Sequence, residues 1–215
     1  MNSTKTDKKV DLTQLCEILA PIVRMTMVKY FASNCCVATC KILRDVFGHY
    51  GYRARQVPVT VTIINRAMRE LVEQNVTFPK EERARLAFFE RHGAWGIGIV
   101  PVLNSKNVNG SGFGGHLVLN VDGILVDASL QQAERRDRQI ILPPWLAITP
   151  VPAGFFAARA KGQQIRGVIG DCLICYRRLE NEAYRISPNW RQESAGCPAA
   201  FREILTRSSQ ALGWG

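Results

Sequence analysis

His116-Leu117-Val118-Leu119-Asn120-Val121, then Asp122-Gly123, then Ile124-Leu125-Val126-Asp127-Ala128-Ser129 reads as two β-strands joined by a two-residue turn. Asp-Gly between apolar runs favours a type I′ hairpin, because both central residues need positive φ. With that turn, Val121 faces Ile124, Val118 faces Asp127 and His116 faces Ser129. Side chains alternate along a strand, so His116 and Asp127 emerge on one face as diagonal neighbours, ~7–8 Å apart at Cα. An acid so placed can hold an imidazole by one ring nitrogen and leave the other free, as a catalytic base requires. The plainer alternative is a polar pair on a solvent face. Against it, the same face carries Val118, Asn120, Leu125 and Ser129, and Gly114-Gly115 before His116 permits close approach of a backbone or substrate.

Upstream, Ser33-Asn34 precedes Cys35-Cys36 at the start of a helix expected to reach Tyr50, with Gly51 at the left-handed closing position. A thiol at a helix N-terminus meets unpaired backbone N–H groups and the positive end of the helix dipole, which favour the thiolate. Cys36, Cys40, Leu43, Phe47 and Tyr50 share the core-facing stripe. Cys35 is rotated by about 100° from it, so Cys36 is the preferred nucleophile and Cys35 the alternative. Either cysteine taken alone could equally be a small buried apolar residue.

The run from Asn34 through Cys36 to Arg55 resembles the nucleophile helix of the papain-like, transglutaminase-like superfamily. With Cys36 as nucleophile, Gly51 and Arg55 fall at that family's Gly and Arg. Gly114-Gly115-His116-Leu117-Val118-Leu119 and Leu125-Val126-Asp127-Ala128 resemble its His and Asp strands, as in arylamine N-acetyltransferases and bacterial transglutaminase-like proteins. The likeness covers about 36–60 and 95–130; the rest resembles uncharacterised bacterial or phage proteins with this core. Val37 stands where a Trp is common, the His-to-Asp interval is short, and no upstream Gln is placed for an oxyanion hole. The resemblance implies a cysteine-dependent acyl-group enzyme working through a thioester. Its triad would be Cys36, His116 and Asp127, with Asn34 and Gly115 at the oxyanion or substrate side. Its substrate would be a peptide, amide or acyl thioester.

Around this centre the chain reads as α+β, with N-terminal helices packed on a mostly antiparallel β-sheet: a papain-like, transglutaminase-like core. Residues 1–10 read as a flexible tail and 11–215 as one domain. Asp11 with Gln14 opens a helix that Pro21 is expected to end or kink, with a second stretch running to about Phe31. Val57–Ile64 reads as a strand, Asn65 as the cap of a helix through Glu73, and Lys80–Arg91 as an exposed helix. Strands follow at Trp95–Leu103, Leu146–Val151 and Cys172–Arg177, with a loop at 104–115 that would serve as a lid and a final helix at Pro198–Gln210.

Composition bounds the class. With 47% hydrophobic and 21% charged residues in 215, the chain is neither disordered nor a repeat. No apolar run approaches the ~20 residues of a membrane span, so no membrane partner is expected. The seven cysteines cannot all pair, which points to a reducing, cytoplasmic setting. Cys172-Leu173-Ile174-Cys175 reads as packing rather than zinc, since a structural zinc site needs four ligands. No metal or cofactor is expected, and the oligomeric state is open. The net charge of +10 is scattered. Arg135, Arg136 and Arg138 form its densest group, and the competing reading is an inactive binding module using them on nucleic acid or an acidic partner.

Overall fold

The computed structural model describes residues 10–31, 35–100, 114–157, 162–180, 183–186 and 196–214. The chain is α+β. Among the described residues seven strands form one antiparallel sheet: β1 (Ala54–Ile64), β2 (Gly96–Ile99), β3 (His116–Val121), β4 (Ile124–Asp127), β5 (Leu146–Ile148), β6 (Gln164–Ile169) and β7 (Cys172–Arg178). They run in the order β5-β4-β3-β1-β7-β6, with β2 beside the second half of β1. Leu119 pairs with Val126 and Val121 with Ile124, and Asp122 and Gly123 have φ of 44° and 96°. The hairpin therefore has the register and turn expected from its sequence.

Alternation along the strands divides the core in two. Leu117, Leu119, Val121 and Val126 face α1 (Leu12–Tyr30), α2 (Cys36–His49) and α5 (Gly196–Ala211). Val57, Val59, Val61, Val118, Leu125 and Tyr176 line the other face with Phe155 and Ile140. Two shorter helices, α3 (Arg66–Glu73), capped by Asn65, and α4 (Glu82–Arg91), capped by Glu81, connect β1 to β2. Helix α2 buries the expected stripe of Cys40, Leu43, Phe47 and Tyr50 and turns out through Gly51 at φ 79°.

Four expectations need correction. Pro21 does not end the first helix, because α1 is continuous across it. The ring removes the N–H that would bond the Glu17 carbonyl, and Glu17 and Pro21 lie on the exposed side of the helix. The tail does not extend to residue 10: Val10 is buried, and its carbonyl accepts from the Tyr52 hydroxyl. Residues 1–9 lie outside the described residues. The strand expected from Val57 begins at Ala54, which puts Pro58 in the middle of β1. Its carbonyl accepts from Leu179 N and Arg178 Nη1 on the β7 side, so the missing N–H leaves the pairing with β3 intact. Finally, β6 had no counterpart in the expected strands. It is a sheet edge with only Ile165 buried, so it lacks the apolar alternation that marks a strand.

The strand expected over Trp95–Leu103 is observed as Gly96–Ile99, and the one over Leu146–Val151 as Leu146–Ile148. Residues 101–113, most of the expected lid, lie outside the described residues.

Candidate active site

Asp127 ends β4 fully buried, and His116 opens β3 with 3% exposure. His116 Nε2 lies 2.8 Å from Asp127 Oδ2. A buried carboxylate is costly unless every lone pair is met, and here each oxygen has two donors. Oδ2 accepts from His116 and from the Tyr176 hydroxyl at 2.9 Å, while Oδ1 accepts from Ser129 N at 3.0 Å and Ser129 Oγ at 3.3 Å.

Tyr176 was not singled out by the sequence. It lies on β7, separated from β4 by β3 and β1. On a flat sheet that spacing is about 14 Å, so the contact exists because the sheet curls around this face. Ser129 carried a weak signal, two residues beyond an acid in the geometry of an Asx turn.

The electrostatics follow from burial against pairing. Burial pushes the Asp127 carboxyl up, but the His116 charge and the hydrogen bonds hold it below the usual carboxylate value. Burial pulls the His116 imidazole down, and Asp127 outweighs it, with a further hydrogen bond and charge from Cys36. The result is raised to about 10. The Tyr176 hydroxyl is held well above its ordinary value by burial and by the neighbouring carboxylate, so it remains a donor.

Asp127 occupies Nε2, and the neighbouring Cys36 side chain acts on the same ring. Helix α2 packs on the opposite face of the sheet from His116, so the contact is made around the end of β3. Cys40 Sγ donates to the Leu117 carbonyl at 3.1 Å, and Cys36, one turn earlier, lies ~6 Å further along the axis, beyond the strand's first residue. There the ring at His116 and the thiol at the first turn of α2 meet.

Cys35 is the N-cap residue and has different neighbours. Its sulfur accepts from Thr39 Oγ1 at 3.5 Å and from Gln132 Nε2 at 3.6 Å, and burial pushes its thiol up. Cys40 is fully enclosed and its thiol is raised further by burial. The sequence preferred Cys36 with Cys35 as the alternative, and it is the Cys36 side chain that acts on the imidazole. Gly115 sits directly before His116, half-buried, and Asn34 lies outside the described residues. Gln132, another residue not singled out, brings a side-chain amide to this corner from the turn after β4.

A cavity of about 270 Å³ adjoins Cys35, walled by the last turns of α1 and by residues 128–132. Among the described residues no group of three or more His, Cys, Asp and Glu side chains is placed to hold a metal ion, and no helix is long and apolar enough to cross a membrane. None of the seven cysteines is in a disulfide. Cys172 is buried, but Cys175, three residues along the strand, faces the other side and is only half-buried. Core packing therefore accounts for one thiol of that pair.

The arginine group is engaged with its own chain. Arg136 Nε pairs with Glu134 at 2.5 Å and Arg138 Nε approaches Asp137 at 3.7 Å, with the Arg138 guanidinium also over the Trp95 ring. Arg135 donates to the Gln132 and Glu134 carbonyls.

The buried pair gives the stability a defined pH dependence. Because the folded His116 pKa is raised from ~6.5, its contribution is complete below pH ~6.5 and is lost as pH rises through about 10. Asp127, with a lowered pKa, contributes above the ordinary carboxylate range and loses its contribution as acid protonates it. The urea midpoint of the wild type is therefore expected to fall between pH 6.5 and 10 more steeply than that of His116→Gln. Parallel declines in the two proteins would show that the pairing does not carry this term.

Comparison with protein-family models, curated proteins and solved structures gave no match for this chain.

Proposed function

We propose that the chain is a cysteine-dependent acyl-group enzyme on a papain-like, transglutaminase-like core. The observation that carries this reading is one buried imidazole engaged on two sides. Asp127 holds Nε2 at 2.8 Å, and the Cys36 side chain at the first turn of α2 lies near enough to the same ring to raise its pKa.

The raised pKa keeps the His116 imidazole protonated at neutral pH, and the Cys36 sulfur beside it is the nucleophile. The sulfur attacks the carbonyl carbon of a peptide, amide or thioester, and the C–S bond forms as the carbonyl electron pair moves onto oxygen. The backbone N–H of Cys36, which has no intrahelical partner in the first turn of α2, donates to that oxyanion. When the oxyanion collapses, the bond to the leaving amine or thiol breaks, and the leaving group takes the proton from Nδ1. A water or an acceptor amine then gives its proton to Nδ1 and attacks the thioester, returning the Cys36 sulfur. Asp127 and Tyr176 keep the ring oriented and its positive form stable throughout.

The test is a pulse of p-nitrophenyl acetate, read by p-nitrophenolate release and intact mass, with peptide mapping of the adduct. One acetyl group on Cys36 is expected, absent in Cys36→Ala and strongly slowed in His116→Ala. Acetyl groups spread evenly over the cysteines, or capture unchanged in either variant, would overturn the assignment.

A further inference from the structure

The cavity beside Cys35 is apolar over most of its wall, through Met27, Val28, Phe31 and Pro144, and Arg24 is the only charged side chain among its described lining residues. The Arg24 charge reaches the Cys35 sulfur, where it favours the thiolate against the larger effect of burial. Ser129 belongs both to this wall and to the hydrogen-bond set of Asp127. Cys35 belongs to the wall and is bonded to Cys36 in the chain. The cavity is thus built from residues adjoining both ends of the Cys36, His116 and Asp127 arrangement.

Its size bounds the occupant. At about 270 Å³ it lies just below the ~300 Å³ lower end of small-molecule pockets, room for a short acyl chain. Its charge bounds the occupant further: a lone cation at the rim of an apolar wall complements an acyl chain that is hydrocarbon in the middle and anionic at its far end.

We infer that this cavity is the acyl-donor subsite and that it takes short acyl groups ending in a carboxylate, of the glutaryl type, with Arg24 on the distal carboxylate. The inference rests on the acyl-enzyme reading above for its reaction. The acyl carbon would sit at the Cys36 sulfur and the chain would run past Cys35 toward α1. Gln132, whose amide donates only to a thiol sulfur among its described contacts, would gain a better acceptor in the acyl carbonyl.

The experiment compares N-acetylcysteamine thioesters of glutarate and pentanoate, which have the same chain length with and without the distal carboxylate. The wild type is expected to show kcat/KM about tenfold higher for glutaryl, with the ratio near one in Arg24→Met and reduced by added salt. Val28→Trp, which fills the cavity, should slow both. A wild-type ratio of one or less, or a ratio that Arg24→Met leaves unchanged, overturns the inference while leaving the acyl chemistry standing.

A second arm needs no turnover. Free glutarate is expected to protect Cys35 from iodoacetamide in the wild type, and not in Arg24→Met, whereas pentanamide gives little protection. Protection with no acyl transfer to Cys36 would support the pocket and overturn the enzymatic reading. Absence of protection would overturn the pocket.

Discussion

Asp127→Ala is expected to cost the fold about 3–5 kcal/mol, read as a shift in the urea unfolding midpoint at pH 7. The carboxylate is fully buried, and removing it strands three partners at once: the His116 imidazolium, the Tyr176 hydroxyl and the Ser129 N–H. Breaking a buried ion pair from one side carries a penalty of that order, because the remaining charge has neither water nor a counter-ion. Asp127→Asn keeps the shape and one acceptor oxygen, so it should cost less while removing the pH slope assigned to His116. Tyr176→Phe takes away a single hydrogen bond to a charged acceptor and should cost about 1.5–3 kcal/mol. Losses of under about 1 kcal/mol for Asp127→Ala would mean that the pair is solvated in solution. If Asp127→Ala does not fold, the graded order of Tyr176→Phe and Asp127→Asn still tests the network.

Cys36→Ala is expected to lower acyl turnover by at least about a thousandfold, since loss of a covalent nucleophile leaves only residual binding and oxyanion effects. Cys35→Ala, by contrast, should stay within about tenfold. The two thiols are adjacent, yet they differ in surroundings. Cys36 has the imidazole, whereas Cys35 has only Thr39 and Gln132 as hydrogen-bond donors among the described residues, and burial raises its thiol. Thioester hydrolysis measured on the two variants and on Cys175→Ala, whose sulfur lies on β7 near Gln164, separates a positioned nucleophile from general thiol reactivity. Equal losses for Cys35→Ala and Cys36→Ala would show that the pair acts together. A larger loss for Cys35→Ala would transfer the role to it.

The competing reading, an inactive module using Arg135, Arg136 and Arg138 on nucleic acid, has weaker geometry behind it. Those side chains already contact Glu134, Asp137, Trp95 and backbone carbonyls, so part of their charge is answered within the chain.

Local signals explain how much of this was legible in the sequence. Asp122-Gly123 fixes a turn through the φ angles its two residues tolerate, and the turn fixes the register. The register then places His116 and Asp127 on one face. Helix periodicity likewise specified the buried stripe of α2 and put Cys36 at its first turn. These features depend on residues near one another in the chain, where spacing translates directly into direction. Pro21 does not end α1 because the carbonyl it frees lies on an exposed turn, and only the packing of α1 determines that exposure. The edge strand β6 was invisible because its partner β7, not its own pattern, makes it a strand.

By itself, then, the sequence determined an α+β chain, a hairpin carrying an imidazole and a carboxylate, and a helix opening on two thiols. Tertiary structure decided which thiol meets the imidazole, because that contact passes around the end of β3 from the opposite face of the sheet. It also decided that the carboxylate takes a fourth hydrogen bond from Tyr176, and that a cavity with one arginine lies beside Cys35. Each of these requires the curl of the sheet or the packing of α1, relations between distant segments that no local spacing encodes.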